Sequence, residues 1–255
     1  MPMQRKVIDK KNVKREIANR TSNRSQNNQV KTFDIKNLDI NVKPRTENQK
    51  AFLQLIDDKE ITIGAGYAGT GKTYLACAKA LMLLKEGKYN KIVLIKSVTG
   101  LPGEDIGWIP GSIESKMEGT MFSFMFNFNK LVGDENTEHL KDNNYIEVLP
   151  LTYIRGISID NAIIICDEVQ NLDYDKCETL LTRLGSNSKL ILIGDERQID
   201  LKDKKSSVLD FLCEKFKDAS PKISTIRFLK EDIVRNPLIK LIEEIFDKYK
   251  DEMKK

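Results

Sequence analysis

GYAGTGKT, residues 66–73, constrains this chain more than any other stretch. It matches GxxxxGK[ST] in full, follows the alternating EITIGAG, and opens the apolar LACAKALMLL. A glycine-rich loop between a strand and a helix is the context this pattern requires. The glycines let the backbone curl until its amides point inward at phosphate oxygens, and the helix N-terminus adds favourable partial charge. In that geometry Lys72 reaches the β- and γ-phosphates, and the Thr73 hydroxyl holds Mg²⁺.

A phosphate loop of this kind needs acids on a neighbouring strand, and IIICDEVQN (163–171) supplies them. The aliphatic run predicts a buried parallel strand, and Asp167 stands at its carboxyl end, where such sheets bind ligands. Asp167 is expected to hold Mg²⁺ through water, and Glu168 to polarise the attacking water. A kinase acting on a small acceptor has less use for the adjacent pair, so the acids favour hydrolysis. LILIGDERQID (190–200) repeats the pattern: Asp195 ends an aliphatic strand and Gln198 follows three residues later. Beside the loop and the first acid pair, Asp195 and Gln198 read as γ-phosphate sensing or water positioning; alone, Asp195 could be a solvated strand end.

The remaining elements fit one α/β domain. PRTENQKAFLQLI predicts a helix, and folded structure is expected to begin near Pro44. KIVLIK (91–96), NYIEVLPL and KISTIRFL read as further strands. Helices are expected at 174–184 and 208–216, with a last one beginning near Pro237. Strands alternating with helices imply a parallel sheet covered on both faces. TGLPGEDIGWIPG (99–111) reads as loop, and MEGTMFSFMFNFNKLV as a helix whose surplus Met and Phe serve core packing or a subunit contact. His139, in the polar DENTEHLKDNN, is expected in a surface loop.

Composition excludes several classes. No apolar run approaches the ~18 residues of a membrane span, and the polar start lacks the apolar segment of a secretory signal, so the expected setting is the cytoplasm with no membrane partner. The four cysteines form no CxxC pair, and one histidine cannot complete a Cys/His zinc site. Buried thiols are expected at Cys77, Cys166, Cys177 and Cys213. The net charge of +4 is unevenly spread. Residues 5–31 carry Arg5, Lys6, Lys10, Lys11, Lys14, Arg15, Arg20, Arg24 and Lys31 against Asp9 and Glu16. Residues 1–41 therefore read as a basic flexible arm that grips nucleic acid or simply solubilises, and residues 247–255 as a charged tail.

With these residues in view the chain resembles the PhoH-like family of P-loop NTPases, and more distantly superfamily 1 helicases. The resemblance covers residues 42–246 and rests on GYAGTGKT, PGEDIGWIPGS, LPLTYIRGISIDNAIIICDEVQN, LLTRLGSNSKLILIGDERQID and DIVRNPLI. It implies a RecA-like α/β fold and hydrolysis of ATP with Mg²⁺. Single-stranded RNA, bound or remodelled with helicase-like action, is the implied macromolecular substrate, and the implied assembly is a homo-oligomeric ring, a hexamer. Walker A falls on Gly66, Tyr67, Ala68, Gly69, Thr70, Gly71, Lys72 and Thr73, and Walker B on Asp167 and Glu168. Gln170 completes a D-E-x-Q pattern that contacts nucleotide or relays its state, and Asp195 and Gln198 match a G-D-x-x-Q block near the γ-phosphate. Gln49 resembles a glutamine that related helicases use to read adenine. Arg235 is the implied arginine finger, delivered across a subunit boundary, with Arg155 and Arg183 as alternatives for phosphate or nucleic-acid contact. Two departures stand out: Val169 where members usually carry Ala, and Lys96 where most carry Arg. Two rival readings remain, an ATP-gated protein assembly factor and a small-molecule phosphotransferase.

Overall fold

The computed structural model describes residues 33–96, 113–201, 203–235 and 237–252. Residues 1–32 of the basic arm and the 99–111 stretch lie outside the described residues. Chain contacts divide the molecule into Met1–Asp34 and Ile35–Lys255, and the second unit holds the whole sheet.

Six strands form one sheet: β1 Ile61–Gly66, β2 Lys91–Lys96, β3 Ile146–Val148, β4 Ala162–Asp167, β5 Lys189–Gly194 and β6 Ile223–Phe228. Their order is β3-β2-β4-β5-β1-β6, and every pairing is parallel. The register aligns the carboxyl ends, with Lys96 opposite Asp167 and Gly66 opposite Phe228. Strand β5 separates β1 from β4, so Gly194 and Asp195 emerge between the phosphate loop and the Asp167–Glu168 pair.

Helices cover both faces. On one face Ala65, Val93, Ile164, Cys166 and Leu192 pack with helix α5 (Tyr174–Leu181), through Cys177 and Leu180, and helix α6 (Leu209–Lys215), through Leu212 and Cys213. Helices α1 (Glu47–Asp58), α2 (Lys72–Lys85) and α3 (Ile113–Val132) pack against the sheet as well. Gly64 points at α1, where an added Cβ would lie 2.9 Å from the Phe52 ring. Both faces being covered explains why β4 and β5 are buried at every position and read as unbroken aliphatic runs. The fold is the RecA-like α/β architecture. Among the described residues, no helix is long and apolar enough to cross a membrane.

Local chemistry explains the helix starts. The Thr46 side chain caps α1 by accepting from the Gln49 amide, and Asp173 caps α5 by accepting from Lys176. Helix α3 divides its aromatics: Phe124 and Phe128 are buried, whereas Phe122 (69% exposed) and Phe126 (58%) face outward and stack on each other. All four cysteines are free and buried, and burial pushes the Cys77 and Cys166 thiols well above their usual range.

Three expectations are corrected. Folded structure starts before Pro44, because a 3-10 turn at Ile35–Asn37 buries Ile35 and Leu38, and Lys85 donates to the Leu38 carbonyl at 2.6 Å. His139 lies not in a loop but in helix α4 (Asp134–Asp142). Asp134 and Glu135 favour the helix start there, and Thr137 and Leu140 are the residues it buries. Helix α5 stops at Leu181 rather than Leu184, leaving Arg183 in the following turn. Helix α7 (Pro237–Glu252) ends the described chain.

Phe52 is fully buried, packs under Gly64 and meets Phe228 edge-on at 5.4 Å. Phe52→Ala is expected to destabilise the domain by about 3–5 kcal/mol in equilibrium denaturant unfolding, the range for emptying a buried aromatic site.

A candidate nucleotide site at the carboxyl edge of the sheet

Strand β1 ends in a turn that only glycine can make. Gly66 has φ +130°, and an added Cβ would lie 2.1 Å from the Phe228 carbonyl oxygen. Gly71, at φ +84°, is the N-cap of α2 and provides no side-chain hydrogen bond. The first amides of α2 therefore have no capping side chain, which is the usual condition for binding an anion at a helix N-terminus.

Lys72 folds back over this loop. Its ammonium donates to the Gly66 carbonyl at 2.7 Å and the Tyr67 carbonyl at 2.8 Å. Thr70 Oγ1 lies at 3.4 Å from it and itself donates to the Tyr67 carbonyl. The side chain is 8% exposed. Burial lowers its pKa, and Asp195, Asp167, Glu168 and Glu196 pull it back up.

Thr73 ties the loop to β4, its hydroxyl donating to Asp167 Oδ2 at 3.0 Å. Burial, then the Glu168 charge, raises the Asp167 pKa above the ordinary 3.8; the Glu168 amide, the Thr73 hydroxyl and Lys96 oppose that shift. A hydroxyl and one carboxylate, with room for water and phosphate oxygens, suit Mg²⁺, which keeps several waters and takes few protein ligands. Among the described residues no group of three or more His, Cys, Asp or Glu side chains is placed to hold a metal.

Glu168 follows in the left-handed region, at φ +59°. Its amide donates to Asp167 Oδ1 at 2.9 Å, and its carboxylate accepts from Gln170 Nε2 at 2.6 Å. Fully buried Gln170 also donates to the Gln198 carbonyl at 3.1 Å and accepts from the Asp195 amide at 3.0 Å. Asp195 is equally committed, accepting from the Arg197 amide at 2.9 Å and from Gln198 Nε2 at 2.8 Å. Gly194 lets this happen, since a Cβ there would stand 3.0 Å from Gln170 Oε1.

Gln49 and Arg235 reach the loop from outside the sheet. Gln49 Nε2 donates to the Thr70 carbonyl at 2.8 Å, and its Oε1 accepts from the Arg45 amide at 2.7 Å. The Arg235 side chain lies over Gly69, where an added Cβ would be 3.0 Å from its Cδ, and the neighbouring Val234 amide donates to the Gly69 carbonyl at 3.2 Å. Arg235 thus stands at the loop of its own chain. Arg183 lies away from the loop: its guanidinium donates to the Ile157 carbonyl, and its own carbonyl accepts from the Ile159 amide. That is the amino end of β4, a strand length of ~20 Å from Asp167, beyond reach of phosphate in the loop. Arg155 is exposed in the turn before β4.

Both departures from the family pattern have physical readings. Val169 is fully buried in the layer shared with α5 and α6, so its extra volume fills core. Lys96 donates to Ser123 Oγ on α3 at 3.2 Å while its charge favours ionised Asp167. Sequence reasoning missed several supporting residues. Asn171 exchanges two hydrogen bonds with Asp200, at 2.8 and 3.2 Å. Buried Asp232 accepts from Asn48 at 2.7 Å and from the Leu229 amide at 2.8 Å, positioning the segment that carries Arg235. The adjacency of Asn171 to the acids was a usable signal; nothing local marks Asn48 as a partner of Asp232.

The family model described as PhoH-like protein matches residues 41–247. A PhoH-like protein of Bacillus subtilis (strain 168) is 36% identical over 207 residues, covering 81% of this chain and 64% of that protein. Protein PhoH2 of the same organism is 37% identical over 200 residues, covering 74% of this chain and 44% of that protein. The chain therefore spans less than two thirds of the length of these curated relatives. Among solved structures, Bacteroides sp Pif1 in complex with ADP-AlF4 is similar at 15% identity and a TM-score of 0.37, over 75% of this chain and 43% of that one.

A folded-state pKa above 3.8 means that folding disfavours ionised Asp167 at neutral pH. Asp167→Asn can keep both hydrogen bonds and removes that charge. The nucleotide-free variant is expected to melt higher than the unaltered chain at neutral pH. Mg²⁺-ATP is expected to raise the melting temperature of the unaltered chain and not that of the variant. Thermal melting with and without Mg²⁺-ATP checks both outcomes.

Proposed function

Because the chain belongs to the PhoH-like family, we propose that it hydrolyses ATP to ADP and phosphate with Mg²⁺ and couples the cycle to single-stranded RNA. The observation that carries the reading is the hydrogen-bonded path from Thr73 through Asp167 and Glu168 to Gln170, Asp195 and Gln198. It joins a phosphate loop, a metal-binding pair, a base and a sensor segment across three strands.

In this reading the α2 amides and the loop receive the phosphates, and Lys72 leaves the Gly66 and Tyr67 carbonyls for the β- and γ-oxygens. Thr73 and, through water, Asp167 would hold Mg²⁺, which would supply positive charge against those oxygens. Glu168 takes the proton of a water whose oxygen attacks the γ-phosphorus as the bond to the β-phosphate oxygen breaks. Arg235, in cis, stabilises charge gathering on the γ-oxygens. Gln198 senses the γ-phosphate, and Gln170 carries its position to Glu168.

Residues 42–246 form the ATPase domain in this proposal, and the lysines and arginines of residues 5–31 supply a nucleic-acid grip that salt would weaken. A ring of copies, a hexamer, is the proposed assembly. Large exposed apolar side chains support it: Phe122 and Phe126 on α3, with Leu238, Leu241, Ile242, Ile245, Phe246 and Tyr249 along α7.

The test is phosphate release from ATP with and without single-stranded RNA, for the full chain, Glu168→Gln and a chain lacking residues 1–31. Glu168→Gln is expected to slow hydrolysis by about 10²–10⁴-fold while ATP binding persists, the range for losing a positioned base. RNA should accelerate the unaltered chain, and less so the truncated one. A Glu168-dependent rate indifferent to RNA would instead favour a protein assembly factor. A soluble acceptor that accounts for the lost γ-phosphate would favour a phosphotransferase.

A further inference from the structure

Tyr67, the second residue of the phosphate loop, carries a side chain that the chemistry above leaves without a task. Two cations face its ring: the Arg197 guanidinium carbon lies 4.9 Å from the centroid and Lys230 Nζ lies 5.8 Å away. Below the ring, the Tyr67 carbonyl accepts from Lys72 and Thr70. The position of this one residue therefore helps shape the pocket for the phosphates.

Arg197 is held from two sides. Its amide donates to Asp195 Oδ1 at 2.9 Å, fixing its backbone to the sensor segment. Its guanidinium pairs with Glu243 of α7, both side chains being about three-quarters buried at 23% and 25% exposure. The neighbouring Glu196 is occupied by Arg227, so the acid that orients Arg197 comes from the last helix. Glu243 is also the one described α7 side chain that is not exposed. Every other described side chain of that helix faces solvent, including the apolar row from Leu238 to Tyr249.

We propose that Arg197 is a positioning residue that links the docking of α7 to the shape of the phosphate loop, through Glu243 on one side and the Tyr67 ring on the other. The inference rests on nucleotide binding at this site. A cation aligned over an aromatic face and neutralised by a half-buried carboxylate holds the ring in one place. Releasing α7 frees the guanidinium to leave the ring, and the loop loses a wall. Linkage makes the effect reciprocal: a nucleotide that orders the loop must also strengthen α7 docking.

The experiment measures the affinity of the full chain for a fluorescent ATP analogue, together with amide hydrogen exchange of α7 with and without that analogue. The variants are Arg197→Gln, Glu243→Gln, their double, and Arg197→Lys. Each single Gln variant is expected to bind about 3- to 10-fold more weakly, the span of a partly buried cation–ring contact. The double should bind as weakly as Arg197→Gln alone, since both act through one contact. Arg197→Lys, which keeps a charge over the ring, should stay within about twofold of the unaltered chain. Nucleotide should slow exchange of α7 in the unaltered chain and not in Arg197→Gln, a readout that simple destabilisation would not produce. Additive single effects, or α7 protection that survives Arg197→Gln, would overturn the link while leaving the nucleotide site intact. Failure of the unaltered chain to bind the analogue would overturn the ATPase reading itself.

Discussion

The buried ammonium of Lys72 is the constraint around which this edge of the sheet is built. A charge that is 8% exposed must be compensated, and two loop carbonyls do so at hydrogen-bonding distance. Asp167, Glu168 and Asp195 add opposite charge from β4 and β5. Those acids are themselves crowded, which is why burial and Glu168 together raise the Asp167 pKa. The nucleotide-free site is thus a mutual compensation of one cation and several anions. In the proposed cycle an incoming polyphosphate takes the cation away from the loop carbonyls, and a divalent ion replaces it beside Asp167.

Strand order decides how that exchange can spread. Because β5 lies between β1 and β4, the loop and the acids are not direct neighbours in the sheet. Thr73 bridges the loop to Asp167, and Gln170 joins the acids to the β5 segment, with one amide nitrogen serving Glu168 and Gln198 and its oxygen serving the Asp195 amide. Its donors are both used, so a direct bond from Gln170 to nucleotide would break an existing one. The geometry therefore suits a relay better than a ligand contact. Gln49 is similarly engaged, between the Thr70 carbonyl and the Arg45 amide, and serves first as a clamp on the loop.

Legibility in the sequence followed contiguity. The phosphate loop is readable because its strand, turn and helix are consecutive, and each glycine answers a local backbone demand, as Gly66 shows against the Phe228 carbonyl. Strands β4 and β5 are readable because burial on both faces leaves unbroken aliphatic runs. Short or polar elements escaped. Helix α4 buries little beyond Thr137 and Leu140, and Ile35 and Leu38 sit among charged and polar residues that hide their packing. The contacts that aim Arg235 and Arg197 join residues far apart in the chain, Asn48 with Asp232 and Arg197 with Glu243. No pattern within a window can reveal such pairs. Arg183 shows the converse hazard, a residue inside a telling block that the fold carries to the opposite end of its neighbouring strand.

Strain at Glu168 ties these threads together. A non-glycine residue in the left-handed region costs about 1–3 kcal/mol and persists only where its surroundings over-determine it. Here Asp167 Oδ1 holds its amide, Gln170 holds its carboxylate, and the Asn171 amide donates to its carbonyl at 2.9 Å. Val169, fully buried one residue on, anchors the turn in the core beneath. The turn aims two consecutive carboxylates in different directions, which an extended strand end could not do without sending them to opposite faces of the sheet. In the proposed mechanism one acid serves the metal and the other water, and this strained turn is what lets adjacent acids take separate tasks.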